Sequence, residues 1–334
     1  MHDAYPLIAV LGAGSWGTAL AVLLSGKGYE VRLWGLPEEI ARLREDRENR
    51  TFLPGIPFPP SLLPVSDLEA TVAGVDEVLI AVPSQAFPGV VEQLAPILPP
   101  HTSVSWATKG FEPGRRRLVH EIVEETLGQR PHGVISGPTF AREVARGLPT
   151  AVTVASSSPA HAQRLAGYLH THYFRAYTSD DLIGVQVGGA AKNVLAIAAG
   201  IADGLGFGAN TRAALITRGL AELTRFGVAL GGKPATFMGL AGLGDLALTC
   251  TDDQSRNRRL GLALARGLSI AEAKRQIGQE VEGVQTAVEV WFKACELGVD
   301  MPITEQTYRV LHEGLAPREG VQALLLRRLK SEAE

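Results

Sequence analysis

The stretch IAVLGAGSWGTALAVLLSGKGYEVRLWG, residues 8–35, restricts the possible folds more than any other part of the chain. An apolar run ends at Gly12, Gly14 and Gly17, a helix-period segment follows over Ser15–Ser25, and a second apolar run closes the unit. Gly12 permits a tight turn, Gly14 lets an anion approach the backbone, and Gly17 allows the helix to pack closely on the strand. The backbone N–H groups near Ser15 and Trp16 then face that anion at the helix N-terminus. Because a complete strand, turn, helix and strand surround the glycines, the spacing predicts a dinucleotide pyrophosphate site. An acid ending the second strand would mark NAD and an arginine NADP, but the strand ends Trp34-Gly35-Leu36-Pro37, so the choice stays open.

The alternation continues. Candidate strands lie at Leu7–Leu11, Glu30–Trp34, Glu77–Val82, Ser103–Thr108, Gly133–Ser136, Ala151–Ala155 and Tyr173–Tyr177, with helical or loop segments such as Leu118–Leu127 between them. The predicted class is α/β, a Rossmann-like, doubly wound and mainly parallel sheet, joined to a C-terminal all-α domain. The run from Phe52 to Pro64 is too proline-rich for either element and is expected to be an ordered surface loop. From Asp180 onward only long apolar-periodic helices are expected: Leu182–Ala202, Thr211–Phe226, Ser255–Arg266, Val284–Leu297, Glu305–His312 and Pro317–Lys330. The Ser-Asp-Asp run at 179–181 supplies a helix start, which puts the domains at residues 1–180 and 181–334.

Composition narrows the function. Of 334 residues, 46% are hydrophobic and 20% charged, as in a compact globule. Thirty-two basic against 35 acidic side chains leave a formal charge of −3, so no positive field gathers nucleic acid or anionic lipid. The expected partner is a small molecule. Cys250 and Cys295 form no pair motif and suit a reducing cytoplasm, and no metal site is expected. The apolar segment Leu182–Ala202 could pass for a membrane span. However, Lys192 at its centre would cost about 2.5–3.5 kcal/mol in a bilayer, which favours a helix buried in protein.

Ligands of open parallel sheets lie outside the carboxyl ends of the strands. Three such ends carry Pro83-Ser84-Gln85, Lys109-Gly110 and Gly137-Pro138-Thr139, with a helix starting near Phe140; Lys109 is expected to face an anion. Lys192 is one of only seven lysines and sits in a helix that is apolar on nearly every side. Burying an ammonium demands a depressed pKa or a nearby anion, which suits a proton donor to a carbonyl oxygen. A plain buried ion pair with Asp245, set in MGLAGLGDLALTCT, is the other reading. Asn193 beside it either binds substrate or caps backbone. Ser255-Arg256-Asn257-Arg258-Arg259 opens a helix whose N-terminus and Arg256 suit phosphate, while Arg258 and Arg259 are expected to face solvent.

Taken together, GAGSWGTALA, VPSQ, WATKG, SGPTFAREVARGLPTA, the GGAAKN-containing helix, MGLAGLGDLALTCT and SRNRR closely resemble the bacterial-type NAD(P)-dependent glycerol-3-phosphate dehydrogenases, from about Ile8 to Arg328. The resemblance implies hydride transfer between NAD(P)H and dihydroxyacetone phosphate, giving sn-glycerol 3-phosphate for phospholipid synthesis. It implies Lys192 as general acid/base, Lys109 in contact with substrate and cofactor, and Asp245 as a catalytic residue that also binds substrate. Gly137, Thr139, Asn193, Ser255, Arg256 and Asn257 would complete the substrate site. Gly12, Gly14, Ser15, Trp16, Gly17, Ala141, Arg256, Val281 and Glu282 would meet NAD or NADP, although a surface acid explains Glu282 equally well. Leu36 departs from relatives that carry a polar or basic residue there. A homodimer is the expected assembly.

Overall fold

The computed structural model describes residues 6–327. Contact density divides the chain into units 1–186 and 187–334, and the division falls inside one helix a little past residue 180.

The first unit is built on an eight-stranded sheet: β1 (Leu7–Leu11), β2 (Glu30–Trp34), β3 (Leu62–Val65), β4 (Glu77–Ile80), β5 (Ser103–Trp106), β6 (His132–Ser136), β7 (Thr150–Ser156) and β8 (Phe174–Ser179). The strand order is β3-β2-β1-β4-β5-β6-β7-β8, and every neighbouring pair is parallel except β6 with β7. Chain order reverses between β1 and β4, which creates the crevice that Rossmann-type sheets offer a nucleotide. The helices are α1 (Ser15–Gly26), α2 (Pro37–Asp46), α3 (Leu68–Val72), α4 (Phe87–Leu94), α5 (Val119–Leu127), α6 (Ala141–Ala145) and α7 (Pro159–Leu169). The apolar runs of β1 and β4 are wholly buried from Ile8 and from Glu77 onward, as expected for strands covered on both faces.

The Phe52–Pro64 run departs from the expected surface loop. Leu53, Ile56 and Phe58 are buried, and the run leads into β3, whose Pro64 registers with Leu33. Proline cannot donate to a ladder, so it is tolerated here because β3 is an edge strand. The proline density that argued against a strand marks an edge.

Helix α8 (Leu182–Gly204) starts in the first unit, where Asp181 Oδ1 accepts the Gly184 N–H at 2.8 Å. The second unit, among described residues, contains no strand. Its helices are α9 (Gly208–Ala229), α10 (Pro234–Phe237), α11 (Asp245–Thr251), α12 (Arg256–Ala265), α13 (Ile270–Ile277), α14 (Gly283–Leu297), α15 (Pro302–His312) and α16 (Pro317–Leu325), with a π turn at Leu240–Gly244. The short helices α10, α11 and α13 were not expected, and α16 stops at Leu325, before the anticipated end. Lys330 lies outside the described residues. Helix α8 is the one described helix long and apolar enough to cross a membrane, and 89% of its apolar window is buried. Its glycines explain the close packing. A Cβ at Gly200 would overlap the Arg258 carbonyl, and one at Gly261 would overlap that of Ile197, so α8 and α12 cross nearly backbone to backbone.

Candidate active site

In the first unit, backbone forms most of the site. Gly12 has φ of 115°, and a Cβ there would come within 2.9 Å of the Ala81 carbonyl at the end of β4. A Cβ at Gly17 would overlap the Gly12 carbonyl, whereas one at Gly14 would meet nothing within 4 Å. Two glycines are therefore required for packing and the third faces open space. Gly14 is the N-cap of α1 without a side-chain cap, so the first N–H groups of the helix, from Ser15 onward, lack an intrahelical acceptor and point at that space. This cradle fits a pyrophosphate.

Asn49, which the sequence reading missed, fixes the turn: its Nδ2 donates to Ala13 O at 2.8 Å and to Thr18 Oγ1 at 2.9 Å. Trp16 and Ala141, both expected at the cofactor, pack on the same small cluster with Leu53 and Ile56. Trp16 Nε1 is buried and has no hydrogen-bond partner among the described residues, which leaves a donor available to a ligand.

At the neighbouring strand ends, the half-buried Lys109 donates from Nζ to Gly137 O at 3.3 Å, and Thr139 Oγ1 donates to the same carbonyl at 3.2 Å. Gly110 and Gly137 both have positive φ. A Cβ at Gly110 would come within 2.7 Å of Ser84, and one at Gly137 within 3.0 Å of Val152 Cα, so the end of β5 closes on that of β4, and the end of β6 on β7, only with glycine there. The fold thus gathers Lys109, Gly137 and Thr139 from two separate motifs.

In the second unit, side chains form the site. Gly188 of α8 lies against the Ala241 carbonyl in the π turn, where a Cβ would clash. Four residues on along each segment, the same faces bring Lys192 to Asp245. Lys192, only 7% exposed, donates from Nζ to Asp245 Oδ1 and, at 2.8 Å, to Thr249 Oγ1. Thr249 Oγ1 donates at 2.6 Å to the Asp245 carbonyl, one helical turn back. Asp245 is 1% exposed, so the carboxylate compensates the ammonium where water does not. Thr249 was missed, although its i+4 spacing from Asp245 was readable. Burial pushes the adjacent Cys250 thiol up to about 12, which rules it out as a nucleophile at neutral pH.

The start of α12 lies beside this pair. Ser255 caps the helix, accepting the Arg258 N–H at 3.2 Å. Asn257 donates from Nδ2 to Asn193 Oδ1 at 3.0 Å and accepts the Gly283 N–H at 3.0 Å on Oδ1. One amide therefore ties the lysine helix to the segment holding Val281, which is buried, and Glu282, which is half-buried. Arg256 is half-buried, and its guanidinium makes no hydrogen bond or ion pair among the described residues. Arg258 corrects the sequence reading. It is 8% exposed, donates to Asp203 at 2.7 Å and pairs with Asp253, while Arg212 reaches the same Asp203 at 2.9 Å. Its partner Asp203 lies far away in sequence, so local charge pattern gave no sign of it. Arg259 is half-buried rather than fully solvent-facing.

A switch-point crevice with a pyrophosphate cradle, joined to a helical unit holding a buried ammonium, defines the class of Rossmann-type, nicotinamide-dependent oxidoreductases. The family described as NAD-dependent glycerol-3-phosphate dehydrogenase, N-terminus, matches residues 7–162, and its C-terminal counterpart matches residues 181–322. The chain belongs to this family. It is 57% identical to a protein of Nitrosococcus oceani named glycerol-3-phosphate dehydrogenase [NAD(P)+], over 97% of this chain and 94% of that one. A protein of the same name from Thioalkalivibrio sulfidiphilus is also 57% identical, over 98% and 99%. The crystal structure of glycerol-3-phosphate dehydrogenase from Coxiella burnetii superposes with a TM-score of 0.95 at 49% identity, covering 97% of this chain and 99% of that one.

Proposed function

We propose that the chain catalyses reversible hydride transfer between NAD(P)H and dihydroxyacetone phosphate, giving sn-glycerol 3-phosphate, with Lys192 as general acid/base. The observation that carries the assignment of roles is the ammonium of Lys192, sequestered with Asp245 and Thr249, on a helix whose Asn193 is bonded to Asn257, next in sequence to the unpartnered Arg256.

Reducing a ketone needs a hydride at carbon and a proton at oxygen. A bound nicotinamide supplies the hydride. In this reading Gly12, Gly14 and Gly17 shape the pyrophosphate cradle, the N–H groups of Ser15 and Trp16 line it, and Ala141, Val281 and Glu282 complete the nucleotide contacts. Lys192 Nζ holds the proton that passes to the C2 oxygen, and Asp245 and Thr249 aim it there. Arg256 grips the phosphate with two parallel N–H groups, supported by Ser255, Asn257 and the positive end of α12. Asn193 orients Asn257 as well as lining the site. Lys109, Gly137 and Thr139 add a cation and exposed backbone for the rest of the substrate. Fixing the phosphate fixes the distance at which the carbonyl meets its proton donor.

The test is the loss of NADH or NADPH absorbance on adding dihydroxyacetone phosphate, beside dihydroxyacetone and a keto acid. Turnover confined to the phosphorylated ketone is expected, and equal turnover of a keto acid would overturn the reading. We further propose a cytoplasmic homodimer acting on small molecules alone, not on nucleic acid or membrane. The two unpaired cysteines and the acidic net charge support this, and light scattering tests the dimer.

A further inference from the structure

No acid or arginine ends β2 in the sequence, yet the fold brings a carboxylate there by another route. Pro37 starts α2 directly after Gly35 and Leu36, and the first turn of α2 folds back over the strand end. A Cβ built on Gly35 would meet Ala13 Cβ at 2.9 Å and Glu39 Oε2 at 3.5 Å. The Glu39 carboxylate therefore stands above the end of β2, next to the glycine turn. It is half-buried and makes no hydrogen bond or ion pair among the described residues. It lines an open recess that runs from Ala13 past Glu39 to Asn49.

The other charges of the recess do not offset it. Arg50 is held by Asp46 at 3.0 Å and Glu48 at 4.0 Å, and Arg42 Nε donates back along its own helix to Glu38 O. With Glu39, Asp46 and Glu48 against Arg42 and Arg50, the lining is net negative. Arg32 of β2 donates to Ala70 O and Ala73 O at 2.8 Å each, Arg44 of α2 donates to Pro64 O at 2.8 Å, and Leu36 is exposed and uncharged.

We propose that Glu39 selects NADH over NADPH, its carboxylate accepting hydrogen bonds from the adenosine ribose hydroxyls and repelling a 2′-phosphate. A carboxylate has only acceptors, so it matches two hydroxyl donors and mismatches a phosphate that carries the same sign of charge. The position is that of the ribose-binding acid of Rossmann folds, reached from a helix rather than from the strand. This rests on the dinucleotide reading above and adds the choice between the two nucleotides.

Titrating the full chain with NADH and with NADPH, read by nicotinamide fluorescence without substrate, tests it. The wild-type chain should bind NADH at least about tenfold more tightly, the scale of a hydrogen bond to a charged group. Glu39→Gln should bring the two affinities within about threefold of each other, and Glu39→Ala should do the same, with circular dichroism showing both folded. Equal or tighter NADPH binding by the wild type, or an unchanged ratio in folded Glu39→Gln, would overturn the assignment while leaving the dinucleotide site intact. Failure of the folded wild type to bind either nucleotide would remove both.

Discussion

The two units build their candidate sites by opposite means. In the first, glycine spacing and helix N–H groups build the proposed cradle, and side chains such as Asn49 pin its backbone in place. In the second, a buried charged pair and an amide bridge form the site, and backbone matters mainly where Gly188, Gly200 and Gly261 let helices approach. A backbone site tolerates changes in most side chains but no added volume at certain glycines. A buried-charge site tolerates volume poorly too, but loses most when one charge is removed and its partner is left unmatched.

That contrast can be broken or sharpened. The largest effect expected is on chemistry alone: Lys192→Ala should lower kcat by about 10²- to 10⁴-fold while NADH affinity is unchanged in a fluorescence titration, because Lys192 is not among the proposed nucleotide contacts. Next, Arg256→Ala should cost about 2–5 kcal/mol in kcat/KM for dihydroxyacetone phosphate and far less for dihydroxyacetone. A loss equal for both would show that Arg256 does not read the phosphate. Smaller again, Gly17→Ala should lower stability in urea by about 1–3 kcal/mol, because its Cβ overlaps the Gly12 carbonyl. Gly14→Ala should stay close to wild type in the same melt and lose nucleotide affinity instead. If both behave alike, the division between packing and binding glycines is wrong.

A last effect, read against pH, concerns Glu222. It accepts the Ile303 N–H at 2.6 Å and that of Thr304 at 3.2 Å at the start of α15, and burial pushes its carboxyl up to about 7. A folded pKa above the unfolded one means the native state holds the extra proton. The contribution to stability is therefore complete below about 4.5 and is lost as pH rises through 7. Urea midpoints should fall over that window, and Glu222→Gln should flatten the slope.

What could be read in advance follows the same divide. The limits of β1 and β2 were legible to the residue because β1 is an unbroken apolar run and β2 an alternating one, Glu30-Val31-Arg32-Leu33-Trp34, each ending at a glycine turn signal. Strand β3 was not, because its proline, Pro64, is permitted only by its place at the edge, a fact of topology. Lys192 was conspicuous as one charge in an apolar helix, and Asp245 as an acid among glycines. Arg258 was misread because its partner Asp203 is on another helix, and Asn257 is joined to Asn193 and Gly283 by bonds between distant parts of the chain. Glu39 was passed over because its meaning depends on where α2 turns back on β2. Local periodicity carries backbone sites, while sites made of side chains need the fold.

The most direct test of the central claim is chemical rescue of Lys192→Ala by small primary amines, followed as NADH consumption with dihydroxyacetone phosphate. Turnover should return in proportion to amine concentration and vary with amine basicity, since a free ammonium can occupy the vacated place beside Asp245. A folded, NADH-binding variant that turns over nearly as fast as wild type without amine, or that no amine restores, would contradict proton delivery from that nitrogen.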